Sequence, residues 1–225
     1  MLHRSSLALS CLLVFSGVEA QATTYHRLPL PYIPWPISAW MDHSAGHTLT
    51  GIVIDGVDIR YDGTYISSGS SYFHDGHRGT DFALPEGNVV YASASGTVVY
   101  TNTSCPDKIQ PSCGGGLGNW VAIRHPDGKV SIYGHLVRVD VSVGQVITCV
   151  NGPSGFQVGL SGISGNSTGP HLHFELRSGT RGGDVSYDPF AGPYSQSLEY
   201  WYRYALVNDP LHPGQKMHYP AATCQ

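Results

Sequence analysis

Residues 171–176 alternate without a break, with His171, His173 and Glu175 set against Leu172, Phe174 and Leu176. A period of two belongs to a β-strand, whose successive side chains point to opposite faces. One face is then apolar and seeks a core. The other carries two imidazoles and a carboxylate with neighbours roughly 6–7 Å apart. One histidine can bind a metal there while the other reaches a water or substrate oxygen beside it. The competing reading is the polar outer face of a half-exposed strand.

Short strands are expected elsewhere too. Residues 51–54 and 57–61 carry the pattern, and residues 89–100 hold two strands around Gly96. Residues 120–125 and 129–135 form a hairpin across the turn Pro126-Asp127-Gly128, and 141–150 gives a further short pair. The 28 glycines and 15 prolines also favour a turn-rich β protein. Residues 195–206 are the one segment read as helix. Residues 23–40 contain Pro29, Pro31, Pro34 and Pro36, so they read as an extended arm laid over a surface.

The ends bear on location. A positive start, an apolar run over residues 7–15 and Val18-Glu19-Ala20 describe a signal peptide cut after Ala20, with Ala22 as the second choice. The apolar run is too short to span a bilayer, and no later segment is apolar enough. The division expected is a signal peptide at 1–20, an arm at 21–48, a β domain at 49–190 and a C-terminal extension at 191–225. In an exported chain Cys105, Cys113, Cys149 and Cys224 read as two disulfides, for which three pairings exist. A local Cys105–Cys113 bridge is the simplest, leaving Cys149 with Cys224. Zinc ligation by these cysteines is disfavoured because no C-x-x-C spacing occurs. The formal net charge of −4 and the absence of a basic run argue against nucleic acid as a partner.

The segment His77-Arg-Gly-Thr-Asp81 adds an imidazole and a carboxylate. On a straight strand they would stand roughly 13 Å apart, and Gly79 permits a bend that brings them together. Two imidazoles and one carboxylate suit Zn²⁺ with a fourth position open, the catalytic arrangement.

Taken together, several motifs resemble those of the M23 (lysostaphin/LytM-type) metallopeptidases. They are His77-Arg-Gly-Thr-Asp81-Phe-Ala with Gly87, Val90, Ala92 and Gly96-Thr-Val; Gly118-Asn-Trp-Val-Ala-Ile-Arg-His; Tyr133-Gly-His135-Leu; and Ser167-Thr-Gly-Pro-His171-Leu-His173-Phe-Glu-Leu. Order and spacing agree over about residues 70–190. The resemblance implies a mostly β fold, an antiparallel β-sheet groove with a metal at its floor and loops as walls. It implies one Zn²⁺ on His77, Asp81 and His173, with His135 and His171 flanking the water that zinc activates. It further implies a secreted endopeptidase acting on peptide bonds of bacterial peptidoglycan stem peptides or cross-bridges, expected to work as a monomer. Which histidine takes the proton from water, and which steadies the oxyanion or protonates the leaving amine, stays open.

Other residues carry two readings each. His74 could form a rival H-x-x-H pair with His77 but reads better as a loop histidine, and His125 beside the Pro-Asp-Gly turn reads as structural. Glu175 orients a ligand or lies on the surface. Tyr72 is placed near where some family members hold an oxyanion. Asn119 lines the cleft or caps a strand. Tyr194, Tyr200, Trp201, Tyr202 and Tyr204 pack a tail helix or grip glycan. Asn102 and Asn166 sit in glycosylation patterns, with Asn166 expected unmodified because a glycan would crowd the cleft. Residues 160–169 and the Cys105–Cys113 insert are the expected groove walls. His43 or His47 would reach the metal if the arm were a propeptide.

Two other functions compete. A catalytically silent M23-like binding or signalling module is disfavoured because His135 and His171 are both kept. A lipoyl or biotinyl carrier would need a lysine on the turn at residues 94–96, which has none.

Overall fold

The computed structural model describes residues 22–31, 35–44, 52–148, 155–181, 183–201, 204–208 and 216–220. Its strands, in chain order, are β1 (Ile37–Ala39), β2 (Thr80–Phe82), β3 (Val89–Tyr91), β4 (Gly96–Asn102), β5 (Asn119–Arg124) and β6 (Val130–Val139). There follow β7 (Val146–Ile147), β8 (Gln157–Ser161), β9 (Leu172–Arg177), β10 (Ser186–Tyr187), β11 (Tyr204–Asn208) and β12 (Lys216–Pro220). The main sheet runs β1-β2-β9-β6-β5-β4-β7, with β10 beside β9 and β8 joined to β3 and β6. Pairing between these strands is antiparallel, as it is in the separate β11–β12 ribbon. The expected antiparallel, mostly β fold is what forms. Among the described residues no helix is long and apolar enough to cross a membrane.

Alternation sorts the two faces of the sheet. Leu172 and Phe174 of β9, Val121 and Ile123 of β5, and Tyr133 and Leu136 of β6 all enter one buried cluster. Burying each such side chain is worth roughly 1.5–3 kcal/mol. The cover over this face comes from distant parts of the chain: Leu28, Leu30, Ile37 and Trp40 upstream, Phe190 and Trp201 downstream. The proline-rich segment is thus built into the core, and β1 pairs Ile37 with Phe82 and Ala39 with Asp81. Trp120, Ala122, Val130 and Ile132 form a smaller cluster on the other face.

A polar knot lies under the core face. His26 Nδ1 is 2.8 Å from Ser93 Oγ, whose hydroxyl meets the Tyr133 hydroxyl at 2.8 Å. Tyr133 also meets Ser131 Oγ at 2.9 Å, and Ser131 Oγ is 2.8 Å from His125 Nε2. The two imidazoles stand edge to face with centroids 4.7 Å apart. Burial, followed by the nearby His125 and Lys129 charges, pushes the His26 pKa well below 6.5, and burial lowers His125 as well. Both imidazoles are therefore neutral spacers. His125 is structural, as its position beside the turn implied.

Several local expectations are corrected. Residues 195–201 are not helical: Tyr200 N–H donates to Pro189 O, His26 N–H donates to Tyr200 O, and Trp201 bridges His26. Cross-chain bonds and the burial of Tyr200 and Trp201 override local helix preference. Those two aromatics pack rather than grip a ligand, while Tyr194 is exposed. Residues 52–54 form no strand because Ile52 and Ile54 face outward, and residues 57–61 contribute one bridge, Ile59 to Tyr65. Within 141–148 only β7 forms. The Cys105–Cys113 disulfide is present. Cys149, Cys224, His47 and the segment read as a signal peptide lie outside the described residues.

Candidate active site

Strand register assembles the floor of the site. Asp81 of β2 lies directly opposite His173 of β9, and His173 lies opposite Gly134 of β6. Residues opposite one another in antiparallel strands share a face, so Asp81 and His173 meet by pairing alone. His77 arrives from the bend before β2. Gly79 makes that bend possible through close approach: a Cβ there would meet Phe174 O at 2.4 Å and Glu175 Cγ at 2.7 Å.

His77 Nε2 and His173 Nδ1 are 3.1 Å apart, and Asp81 Oδ1 lies 3.1 Å from the first and 2.7 Å from the second. Around a tetrahedral zinc such donors would be separated by about 3.3 Å. The outward nitrogens are tied down. His77 Nδ1–H donates to Trp40 O at 2.8 Å, and His173 Nε2–H donates to Glu175 Oε1 at 2.8 Å. Two imidazole lone pairs and a carboxylate oxygen then converge, an arrangement that needs a cation between them. The donor set therefore fits a divalent metal such as zinc, with its imidazoles oriented from behind.

His135 and His171 follow the same rule. His135 Nδ1–H donates to Ser164 O at 2.8 Å, and His171 Nδ1–H donates to Gly169 O at 2.8 Å. Each leaves Nε2 turned inward; that of His171 is 3.5 Å from Asp81 Oδ2. Their rings are 4.5 Å apart, and His135 is 5.6 Å from His173.

His135 reaches this face against the alternation of its own strand. Ser131 and Tyr133 point to the core face, and a straight β6 would send His135 after them. Between the pairs Asn119–Leu136 and Val121–Tyr133, however, β5 advances two residues and β6 three, which is a β-bulge. His135 has φ 60°, the sole positive value for a non-glycine among the described residues. That conformation costs about 1–2 kcal/mol. Its N–H donates to Leu117 O at 2.7 Å, which helps hold it there. The bulge re-aims one side chain into the cleft.

The charges suit a cation. Burial works against ionised Asp81, but His77, His171 and His173 outweigh it and hold the carboxyl well below its usual range. Burial also opposes charge on His173, yet Asp81 and Glu175 raise its pKa to about 9. The pocket thus favours positive charge at Nδ1, proton or metal. Burial would raise Glu175, but Arg177 and His173 lower it. His135, by contrast, is pushed down to about 3 by burial and then by His171 and His173, and is neutral.

These residues border a cleft of about 710 Å³. Glu175 is buried between His173 and Arg177, so the reading as an orienting partner fits its place. Its own partner Arg177 was missed, although it continues the same period of two. The Trp40 carbonyl was missed because a backbone acceptor leaves no mark in residue type. His74 lines the cleft with its ring 5.7 Å from that of His77 but belongs to no converging donor group among the described residues. Tyr72 is not among the described lining residues. Asn119 is a clamp: its side chain binds both the N–H and the O of Cys105, and Leu136 O. His43 is spent on Asp188 at 2.8 Å. Of the expected walls, residues 157–161 are β8, while Asn166, Thr168 and Gly114–Gly116 do line the cleft.

Asp42, Asp55 and Asp75 also converge, but their oxygens serve backbone donors. Asp42 accepts from Ser44, Ile59 and Gly76 N–H, and Asp75 from Asp55 and Gly56 N–H. They fasten the loop that leads to His77.

Comparison with known proteins finds relatives of the chain. The peptidoglycan DD-endopeptidase ShyA of Vibrio cholerae is 41% identical over 100 residues, covering 44% of this chain and 20% of ShyA. The DD-carboxypeptidase/endopeptidase Mpg of Neisseria meningitidis is 38% identical over 101 residues, covering 45% of this chain and 20% of Mpg. The match thus spans about a fifth of the length of these curated relatives. The solved catalytic domain of the prophage-encoded M23 protein EnpA from Enterococcus faecalis is 26% identical with a TM-score of 0.47, over 72% of this chain and 95% of that one. The sequence pattern of Peptidase family M23 matches residues 75–189, a stretch that contains His77, Asp81, His135, His171 and His173. This chain belongs to peptidase family M23.

Proposed function

We propose that the chain is an exported zinc endopeptidase that hydrolyses peptide bonds in bacterial peptidoglycan, holding one Zn²⁺ on His77, Asp81 and His173. The observation that carries this is the convergence of three donor atoms within 3.1 Å, each imidazole locked from behind, beside two further histidines with inward Nε2 atoms. Bound there, zinc supplies the Lewis acidity that makes water a nucleophile near neutral pH. The protein's own groups do the rest. Neutral His135 offers a lone pair at Nε2 to the proton of the attacking water. His171 Nε2, across a 4.5 Å ring separation, is placed to steady the developing oxyanion or to hand a proton to the leaving amine. Peptidoglycan as substrate is supported by the names of the relatives, ShyA and Mpg. Action outside the cytoplasm is supported by that proposed substrate and by the signal-like pattern of residues 1–20.

Turbidity of purified bacterial cell walls tests the reading. Wild-type protein is expected to clear them, and EDTA or His135→Ala to stop clearing, with zinc still bound in the variant. Bound zinc without cleavage of several wall types or of short peptides would leave a binding module instead.

A further inference from the structure

His135 and the imidazoles of the donor triad are oriented from different parts of the chain. Trp40 O holds His77, and Glu175 holds His173. His135 instead hangs from two backbone carbonyls, Leu117 O on its N–H at 2.7 Å and Ser164 O on its Nδ1–H at 2.8 Å. Leu117 lies between Gly116 at φ 95° and Gly118 at φ 69°. Glycine enters such conformations freely and leaves them as freely, so the direction of the Leu117 carbonyl has to be set from outside. The Cys105–Cys113 loop sets it. Cys113 O accepts from Gly118 N–H at 3.1 Å, and Asn102 Nδ2 donates to Gly118 O at 2.6 Å. The disulfide ties Cys113 back to Cys105, whose N–H and O are both bound by the Asn119 side chain at 2.9 Å.

Ser164 is anchored to the same loop. Asn119 N–H donates to Ser164 Oγ at 2.9 Å, and that hydroxyl donates to Leu136 O at 2.8 Å. Asn119 Nδ2 reaches the same Leu136 oxygen at 3.1 Å. On either side of Ser164, Ile163 N–H donates to Asp107 Oδ1 at 3.2 Å, and Gly165 O accepts from Gln110 N–H at 2.7 Å. Both carbonyls that aim His135 therefore lead back to the buried Asn119 and the disulfide-closed loop. We propose that Asn119 and the Cys105–Cys113 disulfide are positioning groups for His135, fixing the β-bulge so that Nε2 faces the cleft, with no part in holding the metal. This rests on the peptidase reading above and extends it to groups that act through His135.

The test compares zinc-loaded wild type with Asn119→Ala and with the double variant Cys105→Ser, Cys113→Ser. Both variants are expected to lose about ten- to a hundredfold in kcat on a cell-wall peptide, with KM and zinc content as in wild type. Nitrogen NMR of labelled histidines adds a readout that a general loss of stability would not move. His135 should carry its proton on Nδ1 alone in wild type and share it between both nitrogens in the variants, while His77 keeps Nδ1–H throughout. An unchanged kcat, a retained His135 tautomer, or loss of zinc along with activity overturns the positioning role. Should Asn119→Ala not fold, the disulfide variant decides by the same readouts. If wild type cleaves no peptide, the peptidase reading fails, and the spectra decide separately. A freed His135 beside an unchanged His77 then upholds the positioning, and any other pattern overturns it.

Discussion

The two faces of one sheet each carry a histidine cluster, and the clusters behave in opposite ways. In the cleft, His77, His135, His171 and His173 surround the carboxylate of Asp81. In the knot under the core face, the hydrogen-bond partners of His26 and His125 are hydroxyls and a backbone carbonyl. The carboxylates raise His173 to about 9, while burial lowers His26 and His125. Ring spacing is similar, 4.9 Å for His77–His173 and 4.7 Å for His26–His125. The partner, not the crowding, decides whether a buried imidazole pair invites a cation or excludes one.

The largest effect should come from taking the carboxylate out of the first cluster. Asp81→Ala is expected to lose bound zinc and drop hydrolysis to background, measured by metal analysis and wall clearing. His26→Phe should leave both intact. If His26→Phe removed zinc as well, the contrast between the clusters would fail. Next, His135→Ala should lower kcat by about 10²–10⁴-fold with zinc content unchanged. Then Glu175→Gln, which removes the charge behind His173, should weaken zinc affinity by about 10–100-fold, read by chelator competition.

A smaller effect separates the clusters by pH. His26 has its pKa depressed in the fold, so unfolding takes up a proton. Its stabilising contribution is present above 6.5 and is lost as pH falls below that value toward the folded pKa. Urea titrations between pH 7.5 and 5 should show a steeper loss in wild type than in His26→Phe, by at most about 1.4 kcal/mol per pH unit below 6.5. Equal slopes would mean that His26 is not held neutral. The smallest difference concerns the bulge. His135→Gly should be more stable than His135→Ala by about 1–2 kcal/mol, because glycine adopts φ 60° freely.

The floor of the site could be read ahead of the structure because it is made of side chains in periodic strands. Alternation puts His173 and Glu175 on one face, and Gly79 permits His77 and Asp81 to meet, but that the three ligands converge was implied by the family likeness. His135 was reached through family likeness alone; by alternation it belongs on the wrong face, and nothing local announces a bulge. Ile52 and Ile54 looked like strand residues because apolar runs read alike whether they face a core or a cleft. Residues 195–201 looked helical because their hydrogen-bond partners, Pro189 and His26, are remote or non-helical in position.

The carbonyl of Trp40 steadies His77 from a distance of 37 residues, on a segment upstream of the 75–189 family match. The unit that can be moved between proteins is therefore larger than the unit that can be recognised. A fusion partner given residues 75–189 alone would inherit every reactive side chain, but with one imidazole unmoored and a core missing Leu28, Leu30, Ile37 and Trp40. Transplanting the site means carrying the arm along with it.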